Sequence, residues 1–218
     1  MRVTATLYLD VISSWCFWGE PAWAELKKRY AGQVEFNWKI ALMDEAGMPK
    51  SRAQIEWYYR RSGMLMRSAF MLNTDWFTPG VSEFLAPNLV AEAARDLGVT
   101  DDRVRLALSA AGLRERRPVT ELEVAAEVGA NAGGLDRARL LDRARSAEIE
   151  RRIRASTAEW QAMQVTQRPT IVFDTEIGDR AVFSGFARVV PLATALDSML
   201  EDAVAYAAHE AHFGSPPA

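Results

Sequence analysis

The stretch Asp10-Val-Ile-Ser-Ser-Trp-Cys-Phe-Trp-Gly-Glu-Pro21 constrains this chain more than any other. It follows residues 3–9, Val-Thr-Ala-Thr-Leu-Tyr-Leu, whose β-branched and aromatic, partly alternating pattern predicts a buried strand. From Trp15 to Tyr30 the apolar residues Cys16, Trp23 and Leu26 recur at helical spacing, with Trp15 and Ala22 beside them. Ser13 or Ser14 can cap that helix, Pro21 predicts a kink or a late start, and Ala31-Gly32 closes it. Residues 34–42 alternate again through Val34, Phe36, Trp38 and Ile40, which predicts a second strand and completes a βαβ unit. The first turn of this unit therefore carries the only cysteine of the chain, Cys16, three residues after Ser13.

One cysteine excludes an intramolecular disulfide and a cysteine-based zinc site. His209 and His212 could share a helix face, but they have no acidic or thiol partner at ligand spacing, so no metal site is expected. A net charge of −3 argues against a general nucleic-acid binder. No apolar run approaches the roughly 20 residues that span a bilayer. Met1 leads directly into the first strand pattern without a basic and apolar leader, so the expected setting is the cytoplasm.

The next hundred residues change character. Helical periodicity predicts helices over 51–61, 82–97, 101–111, 120–131, 136–145 and 146–163, separated by Gly and Pro clusters. Two short strands, 170–174 and 180–184, flank a turn containing Gly178, and a last helix runs over 189–208. The tail from Gly214 is expected to fray. A sheet built from both ends of the chain, with an all-helical insertion between them, accounts for this order. The expected organisation is 1–43 and 146–218 as the two parts of one α/β domain, with 44–145 inserted. Gly129-Ala-Asn-Ala-Gly-Gly134 is not a phosphate loop, because it follows no strand and lacks the Lys-Ser/Thr pair.

Two separated motifs, Asp10-Val-Ile-Ser13-Ser14-Trp15-Cys16-Phe-Trp-Gly19 and Val165-Thr-Gln-Arg168-Pro169-Thr170, resemble the DsbA-like branch of the thioredoxin superfamily. That branch includes FrnE-type oxidoreductases, kappa-class glutathione transferases and 2-hydroxychromene-2-carboxylate isomerases. The resemblance implies a thioredoxin-like α/β fold with a large helical insertion and makes Pro169 a cis-proline candidate. Ser13 stands where the oxidoreductases carry their attacking cysteine, and Ser14 replaces the proline that follows it. Trp15, Cys16 and Gly19 keep the FrnE-like pattern. Ser184-Gly185-Phe186-Ala187 is similar to the oxidoreductases' Ser-Gly-Ala-Gln, whereas of the transferases' Asp-Arg pair only Arg188 remains.

The residues leave several roles open. Ser13 is either a plain helix cap or a hydroxyl that, with the helix amides, holds a bound thiolate. Cys16 is either a small buried residue or a single reactive thiol forming mixed disulfides. Trp15, Arg168, Pro169 and Thr170 are the candidate thiol- and substrate-binding residues, with Arg168 offering a cation to the sulfur site or to a substrate carboxylate. Six of seven tryptophans fall within the first 76 residues, and Trp57-Tyr58-Tyr59 with residues 64–77 begins the insertion that the resemblance places over the active-site turn. Such an apolar lid suits an aromatic or apolar small substrate.

Three functions follow as expectations. The first is a single-cysteine Ser-x-x-Cys thiol oxidoreductase of DsbA/FrnE type, working with glutathione or another low-molecular-weight thiol and with no covalently bound cofactor. The second is a glutathione-dependent isomerase or transferase that uses Ser13. The third is a non-catalytic thioredoxin-like ligand-binding protein. Homodimers are common in the families this chain resembles, and no stretch of the sequence marks an interface.

Overall fold

A computed structural model describes residues 2–44, 47–81, 83–185 and 188–214. The elements run β1 (Val3–Leu9), α1 (Ser14–Arg29), β2 (Val34–Ile40), α2 (Arg52–Leu65), α3 (Ala86–Asp96), α4 (Arg103–Leu113), α5 (Leu122–Gly133) and α6 (Arg137–Ala144). They continue as α7 (Ala147–Ala162), β3 (Thr170–Thr175), β4 (Arg180–Ser184) and α8 (Val189–Phe213). Phe186, Ala187 and the tail beyond Gly214, which carried expectations above, lie outside the described residues.

The four strands form one sheet in the order β2-β1-β3-β4. β1 and β2 are parallel, with Val3 opposite Val34 and Leu9 opposite Ile40, as a βαβ crossover requires. β3 lies antiparallel to β1, with Tyr8 opposite Thr170, and β4 closes the hairpin on β3. This is the thioredoxin-like arrangement. Its central pair, β1 and β3, joins the two ends of the chain.

Strand alternation decides what each sheet face meets. Leu7, Leu9, Ile171 and Phe173 belong to one large core with Trp23 and Leu26 of α1 and Leu192 and Leu196 of α8. Tyr8 and Val172 point the other way and pack with Trp160 of α7. The edge strand β2 is covered as well. Arg95 of α3 donates from Nη1 to the Trp38 carbonyl at 3.0 Å and from Nη2 to Asn37 Oδ1 at 3.1 Å. The Trp38 carbonyl of that edge is thereby occupied from within the chain.

Helix α1 runs continuously from Ser14 through Pro21, so the late start expected from that proline does not occur. Proline lacks only its own N–H, and burial of Cys16, Trp18, Ala22, Trp23 and Leu26 on both sides of it outweighs one missing bond. Helices α2–α6 fall between β2 and α7, as the periodicity predicts. Helix α3 starts later than expected, at Ala86, because Pro87 suits only the first turn. Helix α8 runs on to Phe213.

The stretch at 129–134 is helix interior and cap. A Cβ at Gly129 would stand 2.6 Å from Val90 Cγ1, so α5 can approach α3 this closely only with glycine there, and Gly134 ends the helix at φ 65°. The insertion is fastened to the back of α1 by ion pairs. Arg105 of α4 pairs with Glu20, and Lys27 Nζ meets Asp102 Oδ2 at 2.7 Å. The helical block thus sits on the same helix whose other end carries the Ser13 turn.

Candidate thiol site at the start of helix α1

Ser13 adopts extended geometry (φ −71°, ψ 124°) and is the N-cap of α1, which leaves Ser14 as the first helical residue. Its Oγ accepts the Cys16 N–H at 3.4 Å and its carbonyl accepts the Phe17 N–H at 3.0 Å. The Ser14 and Trp15 amides are among the open donors of the first turn, at the positive end of the helix.

The turn itself is built by Asp10. Its carbonyl accepts the Ser13 N–H at 3.1 Å, and its buried carboxylate accepts the amides of Ile12 at 3.1 Å and Met43 at 2.9 Å. Burial raises the Asp10 pKa above the usual carboxylate value, against the opposing pull of these hydrogen bonds, Asn88 and Arg168. Asn88 comes from α3 and is fully buried. It accepts the Val11 N–H at 3.0 Å through Oδ1 and donates to the Phe84 carbonyl at 3.2 Å. The insertion therefore helps to hold the active turn in place. The sequence quotes Asp10 only as part of a motif and gives no sign of Asn88; a polar residue at a buried position of α3 was the available signal.

Cys16 lies three residues after the Ser13 cap, in the first turn of α1. Its side chain belongs to the main core, with 4% of the residue exposed. Burial pushes the thiol up to about 12, opposed by a hydrogen bond with the Ser13 hydroxyl and by the Asp10 backbone. Burial of this kind favours the protonated thiol over the thiolate. Cys16 thus sits in the core beneath the cap.

A cleft of about 300 Å³ opens beside the cap. Ser13, Ser14 and Trp15 line it from α1, and Tyr58, Tyr59 and Trp76 from the insertion. Thr166, Gln167 and Arg168 form another side. The roof is held rigidly: Trp18 Nε1 donates to Ser62 Oγ at 3.1 Å, and Trp76 Nε1 donates to the Tyr59 hydroxyl at 2.9 Å. Cys16, Pro169 and Thr170 do not line the cleft.

The late segment packs against α1 from the far end of the chain. The Arg168–Pro169 peptide is cis, and the Pro169 carbonyl accepts the Gly185 N–H at 2.9 Å. A Cβ at Gly19 would stand 3.1 Å from Pro169 Cγ, so glycine permits this approach.

Two residues expected to bind substrate make their hydrogen bonds within the protein. The Arg168 side chain is turned onto backbone: Nε donates to the Ala41 carbonyl at 2.6 Å, Nη2 to the Leu42 carbonyl, and the guanidinium stacks 3.9 Å from the Trp160 ring centroid. It bolts the end of β2 to the proline segment. Thr170 is fully buried; its Oγ1 accepts from Trp160 Nε1 at 2.8 Å and donates to the Gln167 carbonyl at 2.6 Å. Both carry polar side chains into places where only a local partner satisfies them. Of the expected site residues, Ser13, Trp15 and Arg168 line the cleft. No helix among the described residues is long and apolar enough to cross a membrane.

Comparison with known proteins agrees with this fold. The DSBA-like thioredoxin domain matches residues 4–197. A structure from Nitrosomonas europaea, provisionally described as a protein disulfide isomerase, superposes with a TM-score of 0.76 at 16% identity, covering 93% of this chain and 99% of that one. The cytosolic disulfide reductase DsbM from Pseudomonas aeruginosa gives 0.73 at 18% identity, over 91% and 98%. The same protein with GSH gives 0.70 at 17%, over 91% and 99%. No curated protein matches the chain by sequence.

Proposed function

The chain belongs to the DSBA-like thioredoxin family, and we propose that it is a thiol–disulfide oxidoreductase whose attacking sulfur is supplied by an external small thiol. One observation carries this reading: the cleft opens on Ser13 at the positive end of α1, while Cys16 is buried beneath with its thiol pushed up to about 12. A thiolate seated at Ser13 would receive a hydrogen bond from the hydroxyl and the field of the first-turn amides. It would attack one sulfur of a substrate disulfide, forming a new S–S bond. The other sulfur leaves as a thiolate and takes a proton from solvent. A second equivalent of the thiol completes the reduction and leaves as its own disulfide. Glutathione is the thiol we assign, supported by the GSH-bound structure of DsbM, a fold relative.

A second reading uses the same bound thiolate against an electrophilic carbon, as an isomerase or a transferase. The aromatic lining by Trp15, Tyr58, Tyr59 and Trp76 favours it, because such a wall suits an unsaturated or aromatic co-substrate. Calorimetry with reduced glutathione tests both readings at once. Wild type should bind, Ser13→Ala should bind about five- to tenfold more weakly, as expected for loss of one charge-assisted hydrogen bond, and Cys16→Ala should bind like wild type. No binding at millimolar glutathione would sink both and leave a ligand-binding protein. Turnover of a small disulfide with glutathione then separates exchange from carbon chemistry.

A further inference from the structure

The cleft holds a cation that the thiol chemistry does not use. Arg61 lines it from α2, seven residues after Gln54, on the exposed side of that helix. Its guanidinium lies 4.9 Å from the Trp57 ring centroid and 5.1 Å from that of Tyr58, bracketed by two rings that are themselves in edge contact at 5.5 Å. No carboxylate of the described residues pairs with it, whereas Arg143, Arg152 and Arg154 each hold ion pairs. The described lining of the cleft includes no acidic side chain. The other arginine of the lining, Arg168, is spent on the Ala41 and Leu42 carbonyls. Stacking on aromatic faces leaves the N–H edge of a guanidinium open and orients it, which is how arginine recognises a carboxylate through two parallel bonds.

The geometry points to Arg61 as the carboxylate anchor of the cleft. It selects ligands that carry a carboxylate at one end and the reacting sulfur or carbon, directed to Ser13, at the other. This deepens the thiol reading and rests on it for the position of the reacting atom. The carboxylate itself has two sources, the small thiol or an aromatic co-substrate, and both present the same chemistry to Arg61.

Two ligand pairs separate the sources, and each pair differs by one carboxylate, esterified or replaced by an amide. Glutathione is compared with its glycine ethyl ester, and 1-naphthoate with 1-naphthamide, by calorimetry and by quenching of tryptophan fluorescence. At least one acid should bind wild type about tenfold more tightly than its neutral partner, the scale of one well-placed ion pair. Arg61→Gln should abolish that preference while leaving the neutral ligand's affinity unchanged, and Arg61→Lys should restore only part of it. Arg61 is exposed, so these variants should keep the wild-type melting temperature. Preference in the glutathione pair assigns the thiol as the source; preference in the naphthyl pair assigns the co-substrate and survives failure of the thiol reading. A preference that persists in Arg61→Gln, or no preference in either pair, overturns the proposal.

Discussion

The Oγ of Ser13 accepts the backbone N–H of Cys16 at 3.4 Å, and the Cys16 thiol in turn lies within hydrogen-bonding reach of that same hydroxyl. The two residues that define the motif are therefore linked through one hydroxyl. One faces the cleft, and the other closes the floor beneath it.

Cys16 should be silent in the folded protein. A thiol reagent at neutral pH should modify it only after denaturation, and Cys16→Ala should retain thiol-dependent turnover while losing on the order of 1 kcal/mol of stability for the vacated volume. Rapid labelling of native protein would contradict this.

The same burial gives a pH signature. The unfolded thiol releases its proton near its ordinary value of 9.0, and the folded one only near about 12, so the native state holds more protons between them. Stability from this group is full below pH 9.0 and is lost as the pH rises toward about 12. Tyr30, also pushed up to about 12 by burial and by its bond to Asp197, adds to that alkaline loss. Chemical denaturation from about pH 8 to about pH 11 should show a shallower decline for Cys16→Ala than for wild type. Equal slopes would show that the thiol is not held neutral.

Ser13→Cys should restore direct exchange. A thiol at the cap of α1 gains the helix's positive end and lies at the cleft, which depresses its pKa where the buried Cys16 has it raised. The variant should label at neutral pH with one equivalent of reagent and reduce a small disulfide without added thiol. Failure on both counts would mean that the cleft does not admit a sulfur substrate at this position.

Gly19→Ala tests the packing of the two chain ends. Its Cβ would meet Pro169 Cγ at 3.1 Å, so α1 or the proline segment must shift by a few tenths of an ångström. The expected cost is about 1–3 kcal/mol, with weaker glutathione binding because the cleft wall moves with the segment. A melting temperature equal to wild type would show that the contact yields freely.

Asn88→Ala should destabilise by about 1–3 kcal/mol in urea, because it leaves the buried Val11 amide without its acceptor. Binding at the cleft should weaken with it, since Val11 belongs to the turn that sets Ser13. Unchanged binding would separate the turn from the insertion.

Much of this architecture is written locally. The partly alternating apolar pattern in residues 3–9 and 34–42 gives two strands, the period of 3.6 marks most helices to within a few residues, and the Ser13 cap can be read from its place before an apolar helical repeat. Each depends on residues close together in the chain. The two motifs that carry the family resemblance are likewise short, and they name Ser13, Cys16 and Pro169.

What those residues do was decided by packing between distant segments. The sequence shows a single cysteine but not that the insertion, α1 and the sheet bury it and push its thiol up to about 12. It shows an arginine before a proline but not that the carbonyls of Ala41 and Leu42, more than 120 positions away, would take its guanidinium inward. It gives no sign that Asn88 reaches the Val11 amide or that Arg61 stands at the cleft on Trp57 and Tyr58. Secondary structure follows from neighbours along the chain. Desolvation and hydrogen-bond partnership follow from neighbours in space, and they set which polar groups are left free to act.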